Sequence, residues 1–215
     1  MPQESIAAML ENYYGKRSSD GESTAFRCKG FSPDWQLSGL DQEAIAMANL
    51  PPFLRVLLVT DGTVTKSLEA YYWEPVAIEG ASNTVVISQS EIEWLGVKAG
   101  EQVIARSVLL RGAHTKTLYA SAFSIIRLAL IPATLREKLL AGTIGIGELI
   151  RESGLETYRE LQEFGRTTDM SRYGGPQTTT DCVFRSYRII LDHRPAILVS
   201  ECFPVSAFRG DRQGP

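Results

Sequence analysis

The sequence predicts an α+β domain built on a six-stranded antiparallel sheet. From Glu69 onward, segments of alternating or continuous apolar character succeed one another, with polar turns or short helices between them. Helical patterns stand in front of these segments and between them, which is typical of the α+β class. Hydrophobic residues make up 44% and charged residues 22% of the 215 positions, as in ordinary globular proteins. This plan has helices covering one face of the sheet and leaves the other face to solvent or to a cavity.

The first third of the chain is predicted to be helical with one long loop. Residues 1–16 have apolar side chains at helical spacing, whereas residues 17–40 are rich in Ser, Gly, Asp and Pro and indicate a loop. Helices are predicted for Asp41–Asn49, for residues 52–60 after Pro51, and for Thr63–Leu68.

The strands follow, and they define the predicted domain. A helix that starts at Pro132 and a shorter one over Glu148–Glu152 separate the two halves of the sheet. We expect an extension over residues 1–49, one domain over 50–209, and a flexible tail over 210–215. The six predicted strands are Ala70–Ile78, Glu101–Arg111, Thr117–Arg127, 155–168, 181–192 and Ala196–Phe203.

Bulk properties exclude several classes of function. The net charge of −3 provides no electrostatic basis for binding nucleic acid or an anionic membrane. No apolar run approaches the ~20 residues of a membrane span, and no signal peptide is evident. The three cysteines are widely spaced and odd in number, so we expect a reducing, cytoplasmic environment. His114 and His193 fall in predicted turns without ligand spacing, so we expect no metal site. The oligomeric state stays open.

Glu201 is the residue that bears most directly on function. Alternation along the last strand places it on the same face as Ile197, Val199 and Phe203, the face that a sheet normally buries. A carboxylate in that place needs a cationic partner, a proton or a ligand.

Arg106 is the matching cation in an earlier strand. It shares a face with Ile104, Val108 and Leu110, and its planar guanidinium suits a carboxylate. The pattern leaves two interpretations open: Arg106 and Glu201 pair with each other, or both contact a ligand. Arg188 has a weaker claim of the same kind.

Four segments, taken in order, resemble the chorismate–pyruvate lyase family over roughly residues 50–209. An apolar helix precedes the turn Asp61-Gly-Thr-Val-Thr-Lys66, and Arg106 opens the run Arg-Ser-Val-Leu-Leu-Arg-Gly. Gly145-Ile-Gly-Glu-Leu-Ile150 resembles the flap motif of the family, with Gly145 where proline is usual. The last segment combines Tyr187-Arg-Ile-Ile with Ser200-Glu-Cys-Phe203, in which serine replaces a common threonine.

The resemblance implies cofactor-free conversion of chorismate to 4-hydroxybenzoate and pyruvate, in an internal cavity closed by helical flaps. Such a product would feed secondary metabolism or a quinone pathway. The family implies that Arg106 holds the ring carboxylate, helped by the main chain at Val64 and Thr65, and that Glu201 faces the ring hydroxyl. Ile146 and Gly147 would line the pocket, and Arg188 or Lys66 would meet the second carboxylate. The alternative is a ligand-binding or sensing module of the same fold without catalysis.

Overall fold

The structure, a computed structural model, describes residues 3–16, 26–27, 30–31, 34, 36–40, 43–141 and 145–210. Its helices are α1 Gln3–Glu11, α2 Pro52–Val59, α3 Val64–Tyr72, α4 Ala133–Ala141 and α5 Ile146–Ser153. Four two-residue strands form two small ladders: β1 Phe26–Arg27 with β2 Gly30–Phe31, and β3 Gln36–Leu37 with β4 Ile45–Ala46. The main strands are β5 Val76–Ile87, β6 Gln102–Gly112, β7 Leu118–Arg127, β8 Thr157–Thr167, β9 Cys182–Leu191 and β10 Arg194–Pro204.

The main strands form one antiparallel sheet in the order β5-β6-β7-β10-β9-β8. Two three-stranded meanders are therefore joined through β7 and β10, which lie at the centre of the sheet. The α+β class and the antiparallel sheet are confirmed. Within the described residues, no helix is long and apolar enough to cross a membrane.

Helices pack on both faces of the sheet, which corrects the prediction that they cover only one. Ile6 and Leu10 of α1, and Tyr13 in the turn after it, pack in one apolar cluster with Phe123 of β7 and Leu198 of β10. The remaining helices pack on the opposite face. The predicted domain boundary at residue 50 stays a prediction, but α1 shares a hydrophobic core with the sheet.

Two apolar clusters stand at opposite ends of that second face. One joins α2 and α3 to strand residues such as Leu110 and Phe203. The other joins α4 and α5 to Ile104, Ile126 and Ile197. Arg106 and Glu201 lie in the middle of this face, between the two clusters.

Two predicted elements differ from the structure. The segment Ala70–Ile78 is not one strand, because α3 continues to Tyr72 and β5 begins at Val76. Tyr72 lies one helical turn beyond Leu68 and stacks on Tyr119 at 4.1 Å between ring centroids, so tertiary packing selects the helix. The predicted helix Asp41–Asn49 is also wrong in its described part, where Ile45–Ala46 forms a strand and Met47–Asn49 a single 3-10 turn.

A buried carboxylate closes the β6–β7 hairpin. Glu74 accepts backbone hydrogen bonds from His114 at 2.9 Å and Thr115 at 3.0 Å, and hydroxyl hydrogen bonds from Thr115 and Tyr119. Burial acts to raise the pKa of Glu74, but these donors outweigh burial and lower the pKa to about 2. Gly112 makes room for this arrangement, since a Cβ there would lie 2.3 Å from a Glu74 carboxylate oxygen.

Candidate active site

A cavity of about 220 Å³ lies on the helix-covered face between the two apolar clusters. It is smaller than the roughly 300–1,000 Å³ pockets that hold drug-sized ligands, so it suits a compact molecule. All strands of the main sheet contribute to its wall, together with the first residues of α3 and α5. The charged side chains along it are Lys66, Glu69, Arg106, Glu148, Arg159 and Glu201.

Arg106 reaches this cavity from β6. It is only 2% exposed and stands beside Ser124 of β7, which in turn pairs with Val199 of β10. Burial lowers the pKa of Arg106, but an arginine stays protonated at any physiological pH. A desolvated, fixed positive charge therefore forms part of the cavity wall.

Glu201 lies on the same face, two strands away from Arg106. The offset of two strands and two residues puts the Cα atoms of Arg106 and Glu201 ~12 Å apart. Both Arg106 and Glu201 line the cavity, as expected if they contact one ligand.

The ion pair of Glu201 is made with Arg185, not with Arg106. The two residues are direct partners in the β9–β10 ladder, and Arg185 Nε donates to Glu201 Oε2 at 2.8 Å. The Tyr187 hydroxyl donates to the other carboxylate oxygen at 3.3 Å. Glu201 therefore has an internal ion-pair partner, as one of the two interpretations expected, but the partner is Arg185 and the predicted partner Arg106 is wrong. Glu201 lines the cavity and is paired at the same time.

Sequence reasoning missed Arg185, although the signal was present. Alternation puts Arg185 on the face of Tyr187 and Ile189, while the neighbouring Arg188 points the other way. Arg185 is 1% exposed, and its Nη1 donates to the carbonyl of Thr60 at 2.8 Å. Burial acts to lower the pKa of Arg185, but Glu201 and Tyr187 outweigh it and raise that pKa. Arg185 thereby connects Glu201 to the loop between α2 and α3.

Arg188 lies on the opposite face of the sheet, so its predicted place at the ligand site is corrected. Its Nε donates to Glu160 and its Nη1 to the carbonyl of Trp94 at 3.2 Å. Its ladder partner is Leu198, which belongs to the cluster under α1. Lys66 does line the cavity, but its side chain is exposed.

Two helix N-termini meet at the cavity, and neither is capped by a side chain. α3 begins after Thr63 and α5 after Gly145, each without a side-chain hydrogen bond to the first turn. The residues expected to contribute, Val64, Thr65, Ile146 and Gly147, all lie along the cavity wall. The two starts are close, since a Cβ on Gly147 would lie 3.4 Å from the Thr63 hydroxyl. Uncapped amide groups at such ends favour an anion.

No group of three or more metal-ligating side chains occurs in the part of the chain that the structure describes. What the arrangement provides is a small cavity whose wall contains the buried Arg106 and a buried carboxylate, Glu201, that is paired with Arg185. It can bind a small anionic ring and accept or donate a proton at one position.

Comparison with known proteins agrees with the resemblance read from the sequence. A family profile described as "Chorismate pyruvate-lyase Rv2949c-like" matches residues 58–209. The chain belongs to this family. It is similar to proteins named chorismate pyruvate-lyase from Mycobacterium tuberculosis, with 28% identity over 73% of this chain and 81% of the relative. The relative of the same name in Mycobacterium leprae is 29% identical over 73% of this chain and 76% of its own length.

Solved structures with a similar fold include bacterial transcriptional regulators. PhnF from Mycobacterium smegmatis matches with a TM-score of 0.49 and 14% identity over 68% of this chain and 65% of that protein, less than two thirds of its length. A regulator of the GntR family from Bacillus cereus matches with a TM-score of 0.46 and 15% identity, over 63% of this chain and 96% of that one.

Proposed function

We propose that the protein is a cofactor-free lyase that cleaves chorismate into 4-hydroxybenzoate and pyruvate. The observation that carries the proposal is the placement of Arg106 and the Arg185-paired Glu201 in the wall of one cavity. Membership of the chorismate pyruvate-lyase family and the names of the mycobacterial relatives support it.

Arg106 and the main chain at the start of α3 bind the ring carboxylate in this proposal. A buried guanidinium provides two parallel donors for a carboxylate, and the first amides of α3 add to the positive field. The ring then points toward Glu201, because the ~12 Å between the two Cα atoms leaves space for one ring between the side chains. The first turns of α3 and α5 act as the helical flaps that enclose the bound ring.

Glu201 acts on the ring carbon that bears the hydroxyl. The bond from this carbon to its hydrogen breaks, and the ether bond to the enolpyruvyl group breaks, which leaves an aromatic ring. Glu201 takes the proton, the electron pair of the broken ether bond leaves with the oxygen as an enolate, and this enolate receives a proton on its methylene carbon to become pyruvate. Arg185 orients the Glu201 carboxylate through the 2.8 Å hydrogen bond from its Nε, and this bond holds the general base in place beside the ring.

Positioning is enough for this reaction, which explains why the site needs no cofactor. Aromatisation of the ring is strongly downhill, so the protein has to hold a reactive geometry and place charges. A cavity lined by side chains from every main strand provides a rigid frame for that task.

The proposal is tested by adding the protein to chorismate and following both products. Pyruvate is measured with lactate dehydrogenase and NADH, and 4-hydroxybenzoate by chromatography, against a sample without protein that records spontaneous decay. We expect equal amounts of both products, and an Arg106→Met variant about 100- to 1,000-fold slower, as when one preorganised donor to a charged group is lost. Tight binding of 4-hydroxybenzoate without turnover would instead identify a binding or sensing module and refute the enzymatic proposal.

A further inference from the structure

We propose that Arg159 binds the second carboxylate of the substrate, the one carried by the enolpyruvyl group. This inference rests on the proposed function, because it deepens the assignment of the same cavity. The sequence suggested Arg188 or Lys66 for this role. Arg188 lies on the other face of the sheet, and we assign the role to Arg159 instead of the exposed Lys66.

Arg159 stands across the cavity from Arg106. It belongs to β8, at one edge of the sheet, whereas Arg106 belongs to β6, near the other. Four strand spacings of ~4.8 Å separate these two strands, and β10 with Glu201 lies midway between them. Both arginines line the wall of the cavity. A ligand with carboxylates at both ends can therefore contact both arginines while its ring passes Glu201.

The surroundings hold Arg159 in place without using all of its donors. Its Nη1 donates to the carbonyl of Asp61, and its guanidinium carbon lies 5.9 Å from the centre of the Tyr187 ring. Its Nε is buried and finds no hydrogen-bond partner among the residues that the structure describes. A buried donor without a partner costs free energy in the empty site, and a bound carboxylate would remove that cost.

Arg159 also stands next to the start of α5. A Cβ on Gly147 would lie 3.7 Å from Arg159 Nη2, so the guanidinium and the first amides of this helix lie next to the same part of the cavity. Two independent groups of positive character, one a side chain and one the end of a helix, therefore converge there.

The other charges in the described wall fit this role less well. Lys66 is exposed, so its ammonium remains in water and a contact with it gains little. Glu69 accepts a hydrogen bond from the backbone of Val76 at 3.1 Å, and Glu148 is 51% exposed and lies 3.5 Å from Arg151. Both carboxylates are thus occupied or solvated.

If Arg159 binds the second carboxylate, replacing it should lower the affinity for ligands with two carboxylates but not for ligands with one. Two probes are compared by calorimetry: 4-hydroxybenzoate, and 3-(carboxymethoxy)-4-hydroxybenzoate, a stable ring that carries an ether-linked second carboxylate. In Arg159→Gln we expect the affinity for the dianionic probe to fall about 10- to 100-fold, the range for losing one charge-assisted hydrogen bond. The affinity for 4-hydroxybenzoate should change less than about twofold, because this ligand has no second carboxylate. The KM for chorismate should rise in parallel with the Kd of the dianionic probe.

Three further variants make the test decisive. Arg159→Lys keeps a positive donor and should recover most of the dianion affinity, and it also covers the possibility that the Gln variant folds poorly. Arg106→Met should weaken both probes. Arg194→Gln removes an arginine that is 58% exposed at the start of β10 and should change neither.

The inference fails if Arg159→Gln weakens both probes equally or weakens neither. It can fail while the proposed function stands, because wild-type protein would still release pyruvate. Conversely, if the wild-type protein releases no pyruvate but Arg159→Gln selectively loses the dianionic probe, the lyase proposal fails and the assignment of Arg159 as a carboxylate-binding residue is retained. If the wild-type protein binds neither probe, both are overturned.

Discussion

Replacing Glu201 by glutamine should destabilise the protein as well as inactivate it. The substitution leaves Arg185, which is 1% exposed, facing a neutral amide instead of a carboxylate at 2.8 Å. Removing one partner of a buried ion pair typically costs about 3–5 kcal/mol, because the remaining charge stays desolvated. For a protein of this size, 1 kcal/mol corresponds to ~2–4 °C, so we expect a melting temperature about 6–20 °C lower.

A double-mutant cycle measures this coupling directly. The free energy of unfolding is determined by urea denaturation for wild type, Glu201→Gln, Arg185→Met and the double variant. We expect the double variant to lose clearly less than the sum of the two single losses, by about 1–3 kcal/mol, because the second substitution removes the charge that the first one stranded. Glu91→Gln is the matched control, since Glu91 forms an exposed pair with Lys98 and its change should stay within about 0.5 kcal/mol.

The reasoning would be refuted if Glu201→Gln unfolded within about 0.5 kcal/mol of wild type, the margin for a surface change. That result would mean that water or another group neutralises Arg185 as well as Glu201 does. It would also mean that loss of activity in this variant can be read as chemistry alone. If instead the loss is found as expected, activity has to be compared well below the lowered melting temperature.

Three other substitutions test the packing described above. Glu74→Gln should lower the free energy of unfolding by about 2–4 kcal/mol at pH 7, because it weakens charge-assisted hydrogen bonds to four donors. Urea denaturation at several pH values should show this difference shrinking as the pH falls from 4.5 toward 2, because the wild-type carboxylate also becomes neutral there. Gly112→Ala should destabilise by a similar amount, since its Cβ would collide with Glu74, and the loss should be smaller when combined with Glu74→Ala. Leu10→Ala in α1 should cost about 2–5 kcal/mol in the same assay, as for a buried core leucine, whereas a removable extension would lose almost nothing.

Most of the sheet could be predicted from the sequence because its strands alternate clearly and end at polar turns. The α3–β5 boundary could not, since two adjacent tyrosines favour a strand locally and only the stacking of Tyr72 on Tyr119 makes them helical. The packing of α1 on the sheet could not be predicted from the sequence either. Its apolar face predicts a helix but does not say which surface that helix covers.

The site shows the same division between local and long-range information. Alternation alone placed Arg106 and Glu201 on buried faces, and both lie in the cavity wall. The prediction chose Arg188 instead of Arg185, and this was wrong. The two residues are three positions apart in one strand, so their side chains lie on opposite faces of the sheet, and the apolar pattern around them did not identify the buried face. Arg159 gave no signal in the sequence, since β8 is an edge strand with a bulge between Leu161 and Glu163.

The two proposals together predict how substrate and product differ in the charge that they bring to the cavity. In the described part of the chain, Arg106 and Arg159 line the wall, and Glu201 is paired with Arg185. Chorismate would place one carboxylate beside each of the two lining arginines, whereas 4-hydroxybenzoate would place a carboxylate beside Arg106 alone. A carboxylate beside a buried or half-buried guanidinium offsets part of the cost of removing that charge from water. We therefore expect wild-type protein to bind the dianionic probe more tightly than 4-hydroxybenzoate in the calorimetric comparison, as an enzyme that releases this product requires.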